Sequence, residues 1–305
     1  MNKYIRFLVD PDYRFQTLDR RGFYKNKSDE AYLKKAFRAR FHRKLDLKDP
    51  KTYNEKLQWL KLYDRRPEYT PMVDKYEVKK YVADLIGEQY IIPTLGVWDS
   101  FHDIDFDALP DQFVLKCTHD SGGLVICRDK SALDKEKAKE KIERSLARNY
   151  YLHGREWPYK NVKPRIIAEQ YMEDSETAEL RDYKFFAFDG EVKALFIASE
   201  RGSETEETKF DFFDAEFNHL PFLNGHPNAA VLPKKPQNFE LMKQLASKLS
   251  RGIPQVRVDF YEANGRVYFG ELTFSHWSGM MPFEPEEWDY TFGSWIKLPQ
   301  KRDEK

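Results

Sequence analysis

The stretch Val256–Gly279, VRVDFYEANGRVYFGELTFSHWSG, leaves this chain few ways to fold. It reads as two strands of alternating residues joined through Asn264-Gly265, a strong short-range hairpin signal. On the first strand Arg257, Asp259 and Tyr261 share one face, and Val258 and Phe260 take the other. On the second, Glu271 and Thr273 share a face, with Gly270 and Leu272 opposite. A two-residue Asn-Gly loop would pair Asp259 with Gly270 and send Glu271 to the wrong side. A three-residue loop, Asn264-Gly265-Arg266 with Gly265 at positive φ, sets Asp259 opposite Glu271 and Arg257 opposite Thr273. It also leaves Val258 against Leu272 and Phe260 against Gly270, an apolar face throughout, so this register is the expected one. Two facing carboxylates repel unless a cation or a proton lies between them. They are either a solvent-facing pair neutralised by Arg257 or a magnesium site, where few protein oxygens are completed by water and phosphate.

The rest of the chain narrows the class. Its 305 residues suffice for two or three lobes. Lys+Arg and Asp+Glu both number 51, which argues against a nucleic-acid-binding or polybasic membrane protein and leaves only local patches open. Aromatic residues at 15% are too many for a disordered chain. No apolar run reaches membrane-spanning length, and MNKYIRFLVDPDYRF lacks the apolar core of a signal peptide, so a cytoplasmic enzyme or binding protein is expected. Cys117 and Cys127 imply neither a disulfide framework nor a zinc site and read as small apolar fillers. There is no repeat, Walker loop or GxGxxG.

In chain order, Asp29–Leu45 carries Leu33, Phe37, Phe41 and Leu45 at four-residue spacing, an amphipathic stripe. Thr52-Tyr53-Asn54-Glu55 is a capping box opening a helix through Leu57 and Leu60. Asp74-Lys75-Tyr76 starts a helix over Glu77–Ile86, ended by Gly87. Asp103, Asp105 and Asp107 alternate with apolar residues, but without the Gly and Glu of a calcium loop they read as a solvated loop. QFVLKC, THDSGG and LVIC read as strand, glycine turn and strand; Ser131–Tyr150 is helical, PRIIAEQYM a buried strand. DYKFFAFDGEVKALFIASER is a second hairpin, turning at Asp189-Gly190. Residues 201–237 read as polar loop, and Asn238–Leu249 is the helix that feeds the opening hairpin.

Singly, these motifs are ambiguous. Lys116 before Asp120-Ser121-Gly122-Gly123 is either an ordinary turn or a phosphate cradle, in which backbone N–H groups and a nearby lysine meet the anion. Asp182-Tyr183-Lys184 is either a strand ion pair of little worth or part of a site. His276 is a lone histidine, usually structural.

Their order is more telling. A lysine strand with a glycine loop, a helix, an acidic strand, a D-x-K hairpin and then R-x-D…E closely resembles the TupA-like branch of the ATP-grasp superfamily, associated with teichuronopeptide and other surface-polysaccharide assembly. The resemblance rests on NEKLQWLKLYDRR, VDKYEVKKYVADLIGEQYIIPTLGVWDSF, LPDQFVLKCTHDSGG, REWPYKNVKPRIIAEQYMED, LRDYKFFAFDGEV and VRVDF…GELTFSHWSG. It implies an α+β fold with the nucleotide held between two lobes of antiparallel sheet, behind a helical N-terminal region. The implied divisions are 1–110, 111–172 for the small lobe with the glycine loop, and 173–305 for the large lobe.

The resemblance also implies roles. Lys116 would contact adenine and the α-phosphate, Asp120, Ser121, Gly122 and Gly123 would cover the β- and γ-phosphates, and Lys75 or Lys79 would reach the phosphates. Glu169, Gln170, Tyr171 and Met172 would form the adenine hinge, with Glu173 or Asp174 on the ribose. Lys184 and Arg257 would stabilise the transferred phosphoryl group, and Asp259, Glu271 and Thr273 would hold Mg2+. Thr273 stands where many relatives have Asn, and its hydroxyl is a poorer ligand than an amide oxygen. The implied activity is an ATP-dependent carboxylate–amine ligation on a surface glycan or its precursor, a uronic acid carboxyl joined to an amino acid, alongside membrane-bound glycan machinery and without nucleic acid. The other readings are a glycosyltransferase using Asp103-Ile104-Asp105 or Asp105-Phe106-Asp107 as a D-x-D motif, a phosphotransferase on the same fold, and an inactive scaffold. Substrate contacts are expected in 201–237 and around Ser275–Gly279.

Overall fold

A computed structural model describes residues 2–175, 180–199 and 207–301. The chain opens with three helices, α1 (Lys3–Val9), α2 (Pro11–Arg20) and α3 (Asp29–Phe41). The stripe expected to run to Leu45 stops at Phe41, where His42 takes a left-handed conformation (φ 56°) and turns the chain. Leu33 and Phe37 pack with Phe15 and Trp59 in a separate N-terminal core. Helix α4 (Tyr53–Tyr63) begins with the expected capping box: Thr52 Oγ1 accepts from Glu55 N–H, and Glu55 Oε2 from Thr52 N–H, both at 3.2 Å. After α5 (Tyr69–Val73), Asp74 caps α6 (Glu77–Ile86) by accepting from the Tyr76 and Glu77 N–H groups, and Gly87 (φ 115°) ends it.

Strands β1 (Thr94–Trp98), β2 (Phe113–Cys117) and β3 (Leu124–Cys127), helix α7 (Lys135–Leu146) and strand β4 (Ile166–Gln170) form the first layer pair. The sheet order is β1-β4-β2-β3, all antiparallel, so this lobe takes in a strand from before residue 111. Ile142 and Ala138 of α7 pack on Phe113, Leu115 and Cys117. Both cysteines are buried and free, as fillers should be.

The second sheet is larger. Strands β5 (Asp182–Phe188), β6 (Glu191–Ser199), β7 (Lys209–Asp214) and β8 (His219–Leu220) are followed by α8 (Phe239–Leu249), β9 (Val256–Ala263), β10 (Arg266–Thr273) and α9 (Glu287–Trp295). Their order is β10-β9-β5-β6-β7-β8. One face buries Phe185, Leu195 and Val258 under α6 and α8; the other buries Phe186, Phe196 and Phe212 under α4 and α9. Burial on both faces explains why DYKFFAF is apolar without alternation, each such side chain contributing about 1.5–3 kcal/mol. Strands β7 and β8 fall within the stretch expected to be loop, of which residues 201–206 lie outside the described residues. The acidic interruptions in KFDFFD hide a strand that β6 pairs along its whole length.

The β9–β10 hairpin corrects one expectation and keeps another. Its loop is two residues, Asn264 (φ 51°) and Gly265 (φ 72°), not three. Ala263 pairs with Arg266 and Phe260 with Phe269, rather than with Gly270. The register then shifts between Phe269 and Glu271, a bulge at Gly270 that restores Asp259 opposite Glu271 and Arg257 opposite Thr273.

Candidate active site

A cavity of about 200 Å3 separates the two sheets. Lys116 of β2, Glu169 of β4 and the turn residues Asp120, Ser121 and Gly123 line one side; Asp182, Lys184 and Glu271 line the other. Lys75, two residues before α6, and Lys79, in its first turn, close a third. Residues far apart in sequence thus put four lysines around one cleft.

On the first-sheet wall, Glu169 is buried and receives both Lys79 (2.5 Å to Oε1) and Lys116 (2.6 Å to Oε2). Burial pushes its carboxyl up, but the two ammonium groups outweigh it and hold it below the ordinary glutamate range. Its carboxylate therefore organises the lysines. Lys75 donates to the Asp120 carbonyl, and its own N–H to the Thr118 carbonyl (3.1 Å), which ties α6 to the glycine turn. Burial pushes the Lys75 ammonium down from its usual range. Asp120 is turned into the protein: Oδ1 accepts from Gly123 N–H at 3.1 Å and Oδ2 from the Ser145 hydroxyl. Gly123 has no room for a side chain, since a Cβ would lie 2.4 Å from Cys117 Sγ.

On the second-sheet wall, β9 and β5 place Asp259 beside Lys184. Asp259 Oδ1 accepts from Arg257 Nε (2.7 Å), and Oδ2 from Arg257 Nη2 (2.7 Å) and Lys184 Nζ (2.5 Å). Arg257 Nη2 also reaches Glu271 Oε1 (2.9 Å) and Thr273 Oγ1 (3.0 Å). Burial pushes the Glu271 carboxyl up, but Lys184, Arg257, Lys75 and the Thr273 hydroxyl together hold it at about 2. Its side chain is nonetheless 42% exposed, so this anion faces the cavity. Behind Arg257 stands His276. A guanidinium only donates, so His276 Nδ1 accepts from Nη1 (2.8 Å) and Nε2–H donates to Asn224 Oδ1 (3.0 Å). Burial, with Arg257 and Lys184 nearby, keeps this imidazole neutral. It is a positioning residue, and among the described residues of the expected 201–237 contact region Asn224 meets it, while His226 packs against Trp277 (ring centroids 5.9 Å apart).

These residues fit magnesium of a particular kind. Among the described residues no group of three or more His, Cys, Asp or Glu forms a protein-built cage. What the site offers is hard oxygen: Glu271, open to the cavity and firmly ionised, and the Thr273 hydroxyl at the adjoining cavity; Asp259, on the same face, is buried and would have to exchange Arg257 or Lys184 for the ion. One or two carboxylates plus phosphate oxygens and water are the usual magnesium set.

A second cavity of about 560 Å3 adjoins the first, and Lys75, Asp120, Ser121 and Glu271 line both. Its walls include Tyr32 and Arg40 of α3, Arg148 and Tyr150 after α7, and Trp277 after β10. Trp277 (φ 48°) and Ser278 (φ 55°) take left-handed backbone conformations that cost non-glycine residues energy. Gln58 and Lys61 of α4 hold this turn through the Ser278 carbonyl (3.1 and 2.6 Å), leaving the Trp277 indole 40% exposed. The sequence singled out Ser275–Gly279 but gave no sign of this cavity.

The remaining candidates lie elsewhere. Gly122 does not line the first cavity, and neither do Gln170, Tyr171, Met172, Glu173 or Asp174. Tyr171 donates to Glu173 Oε2 (3.0 Å), while Asp174 Oδ2 and the Glu173 carbonyl accept from Asn264 (2.9 and 3.3 Å), joining this segment to the β9–β10 turn. Asp105 Oδ1 accepts from the Asp107 and Ala108 N–H groups (3.1 and 3.3 Å); it closes its own turn, and neither cavity includes the D-x-D residues.

The family model described as TupA-like ATPgrasp matches residues 55–297. No curated protein matches the chain. Solved structures similar to it include a D-alanine–D-alanine ligase from Bacillus anthracis complexed with ATP, at 16% identity over 67% of this chain and 55% of that one, with a TM-score of 0.40. Another is the ATP-grasp ligase PsnB with a phosphomimetic variant of its minimal precursor, Mg and ADP, at 10% identity over 92% and 74%, TM-score 0.46. A D-alanine–D-alanine ligase from Helicobacter pylori follows at 13% over 82% and 68%, TM-score 0.45. The chain spans little more than half the length of the Bacillus anthracis enzyme (55%).

Proposed function

This chain belongs to the TupA-like ATP-grasp family, and from that premise we propose that it uses ATP to join a carboxylate to an amine, the carboxylate being a uronic acid of a surface polysaccharide or its precursor and the amine an amino acid. The observation that supports this reading best is the junction of the two cavities. A phosphoryl group bound between Lys75, Lys184 and Glu271 would face the larger cavity, where an acceptor fits. At about 560 Å3 that cavity is in the range of pockets that take drug-sized ligands, large enough for a sugar acid and an amino acid. The cleft at about 200 Å3 is below that range, so the nucleotide would enter with the glycine turn lifted.

In this reading ATP enters the cleft beside Glu169, and with the turn lifted its base lies along Gln170–Met172 and its ribose toward Glu173 or Asp174, all outside the cleft as it stands. Lys75, Lys79, Lys116 and the Asp120–Gly123 turn hold the phosphates. Asp259, Glu271 and Thr273 would hold Mg2+, which supplies charge neutralisation at the phosphate oxygens. Arg148, whose guanidinium lies 5.7 Å from the Tyr150 ring, and Lys75 orient the acceptor carboxylate. A carboxylate oxygen attacks the γ-phosphorus, the bond to the β-phosphate oxygen breaks, and ADP leaves. The amine then attacks the acyl carbon and loses a proton, and inorganic phosphate departs with the C–O electrons. Lys184 and Arg257 stabilise charge on the moving phosphoryl group, and exclusion of water protects the acyl phosphate.

No described helix is long and apolar enough to cross a membrane. The need for ATP fits action in the cytoplasm, beside the machinery that builds the glycan. An ADP-release screen of uronic acids against amino acids tests the reading: release should require one of each. Stabilisation by a UDP-sugar but not by ATP would favour the glycosyltransferase, and a stable phosphoester without an amine the phosphotransferase.

A further inference from the structure

The neutral total charge conceals a strong asymmetry. Residues 1–48 hold fourteen Lys and Arg against six Asp and Glu, a surplus of eight positive charges balanced by the rest of the chain. This segment precedes the residues that match the family model. Its helix α3 has two working sides. Tyr32, Ala36 and Arg40 face the acceptor cavity, whereas Lys34, Lys35 and Arg38 line a separate surface groove of about 860 Å3 with Arg14, His42 and Lys44. Among the described residues, only Lys34 of these six has a carboxylate partner, Glu30 at 2.5 Å.

The groove adjoins an exposed apolar helix. Arg14 donates to the Leu8 carbonyl at 2.8 Å and so fixes the groove beside the end of α1. No residue of α1 is buried. Tyr4 and Leu8, one turn apart, are 70% and 73% exposed; Ile5 and Val9 stand beside them, also exposed, as is Phe23 between α2 and α3. Large apolar side chains on one helix face, next to cations of which most lack a carboxylate partner, form the composition of a helix that lies at a membrane interface. A hydrated polyanion would satisfy the cations but not the apolar face.

We propose that this face seats the protein on an anionic lipid bilayer. Helix α1 lays Tyr4, Ile5, Leu8 and Val9 into the boundary between headgroups and acyl chains, and the α3 groove takes lipid phosphates. The acceptor cavity on the far side of α3 then lies about one helix diameter, ~10 Å, from the membrane surface. This inference is independent of the ligase reading.

Flotation of the full chain with vesicles of phosphatidylcholine alone, or with about one-third phosphatidylglycerol, tests it. Binding is expected to the anionic vesicles only and to fall with added salt. Each of Lys34→Gln and Lys35→Gln should weaken it about fivefold, roughly the effect of one cation at a bilayer surface. Leu8→Asp should weaken it further, with melting temperature and ADP release unchanged because these side chains are exposed and outside the site. Failure to bind either vesicle overturns the proposal. So does preferential binding of soluble polygalacturonate, which would make the groove a polyanion site, or a dimer that Leu8→Asp dissociates, which would make α1 a self-association face.

Discussion

Glu169→Gln tests most sharply how the cleft is wired. The wild-type carboxylate neutralises Lys79 and Lys116 at 2.5 and 2.6 Å. Removing one partner of a buried ion pair costs about 3–5 kcal/mol. Both lysines retain some access to water, Lys116 with 23% of its side chain exposed, so the lower end, about 3 kcal/mol, applies. Unfolding entropy of about 2.1 cal/mol/K per residue gives roughly 0.64 kcal/mol/K for a chain of this length, so the melting temperature should fall by about 5 °C. Mg-ATP should restore part of this. In the wild type Glu169 competes with phosphate for both ammonium groups; in the variant phosphate takes its place. A tenfold gain in affinity, about 1.4 kcal/mol, would make the ATP-induced rise in melting temperature about 2 °C larger than in the wild type. Thermal melts with and without Mg-ATP measure both effects. A variant as stable as the wild type, or one that ATP no longer stabilises, would refute the placement of these lysines at the phosphates.

Other substitutions separate fold from chemistry. Asp259→Asn leaves Arg257 and Lys184 buried beside an uncharged amide and should lower stability by about 3–5 kcal/mol, whereas Glu271→Gln, on a half-open side chain, should lower it less and reduce ADP release at least about a hundredfold. His276 is held neutral in the fold while the unfolded chain takes up a proton below about pH 6.5. Its contribution is therefore present above that pH and lost as the pH falls, at about 1.4 kcal/mol per pH unit. Denaturant titrations from about pH 8 to 5 should show this slope, and His276→Gln should flatten it. Gly123→Ala should cost about 1–3 kcal/mol and weaken ATP binding in a thermal-shift titration, because its Cβ would meet Cys117 Sγ at 2.4 Å and Ser145 Oγ at 2.5 Å.

The β9–β10 hairpin shows what one sequence can disclose. Matching apolar faces was enough to place Asp259 opposite Glu271, because a one-residue slip sends Glu271 to the apolar face. The turn was misjudged because a three-residue loop and a two-residue loop with a bulge give the same final pairing, and Gly270 inside a strand was the available sign of the bulge. Helix caps such as Thr52 and Asp74 were legible since they are local chemistry. Glu169 was not: nothing local says that its carboxylate meets a lysine from α6 and another from β2. Strand β7 was lost for the same reason: its acidic residues are accommodated by partners distant in sequence or by later turns, where Asp211 Oδ1 accepts from Ala229 N–H (3.1 Å) and Asp214 Oδ1 from Asn218 N–H (2.8 Å). The larger cavity, drawn from α2, α3, the segment after α7 and the turn after β10, has no sequence signature at all.

The proposed acyl-phosphate step can be followed directly by an isotope. A uronic acid whose carboxylate oxygens are isotopically heavy, incubated with Mg-ATP, the amino acid and the enzyme, should pass one heavy oxygen to inorganic phosphate for each amide formed. Phosphate that carries only the oxygens of ATP and water, alongside amide formation, would contradict the account.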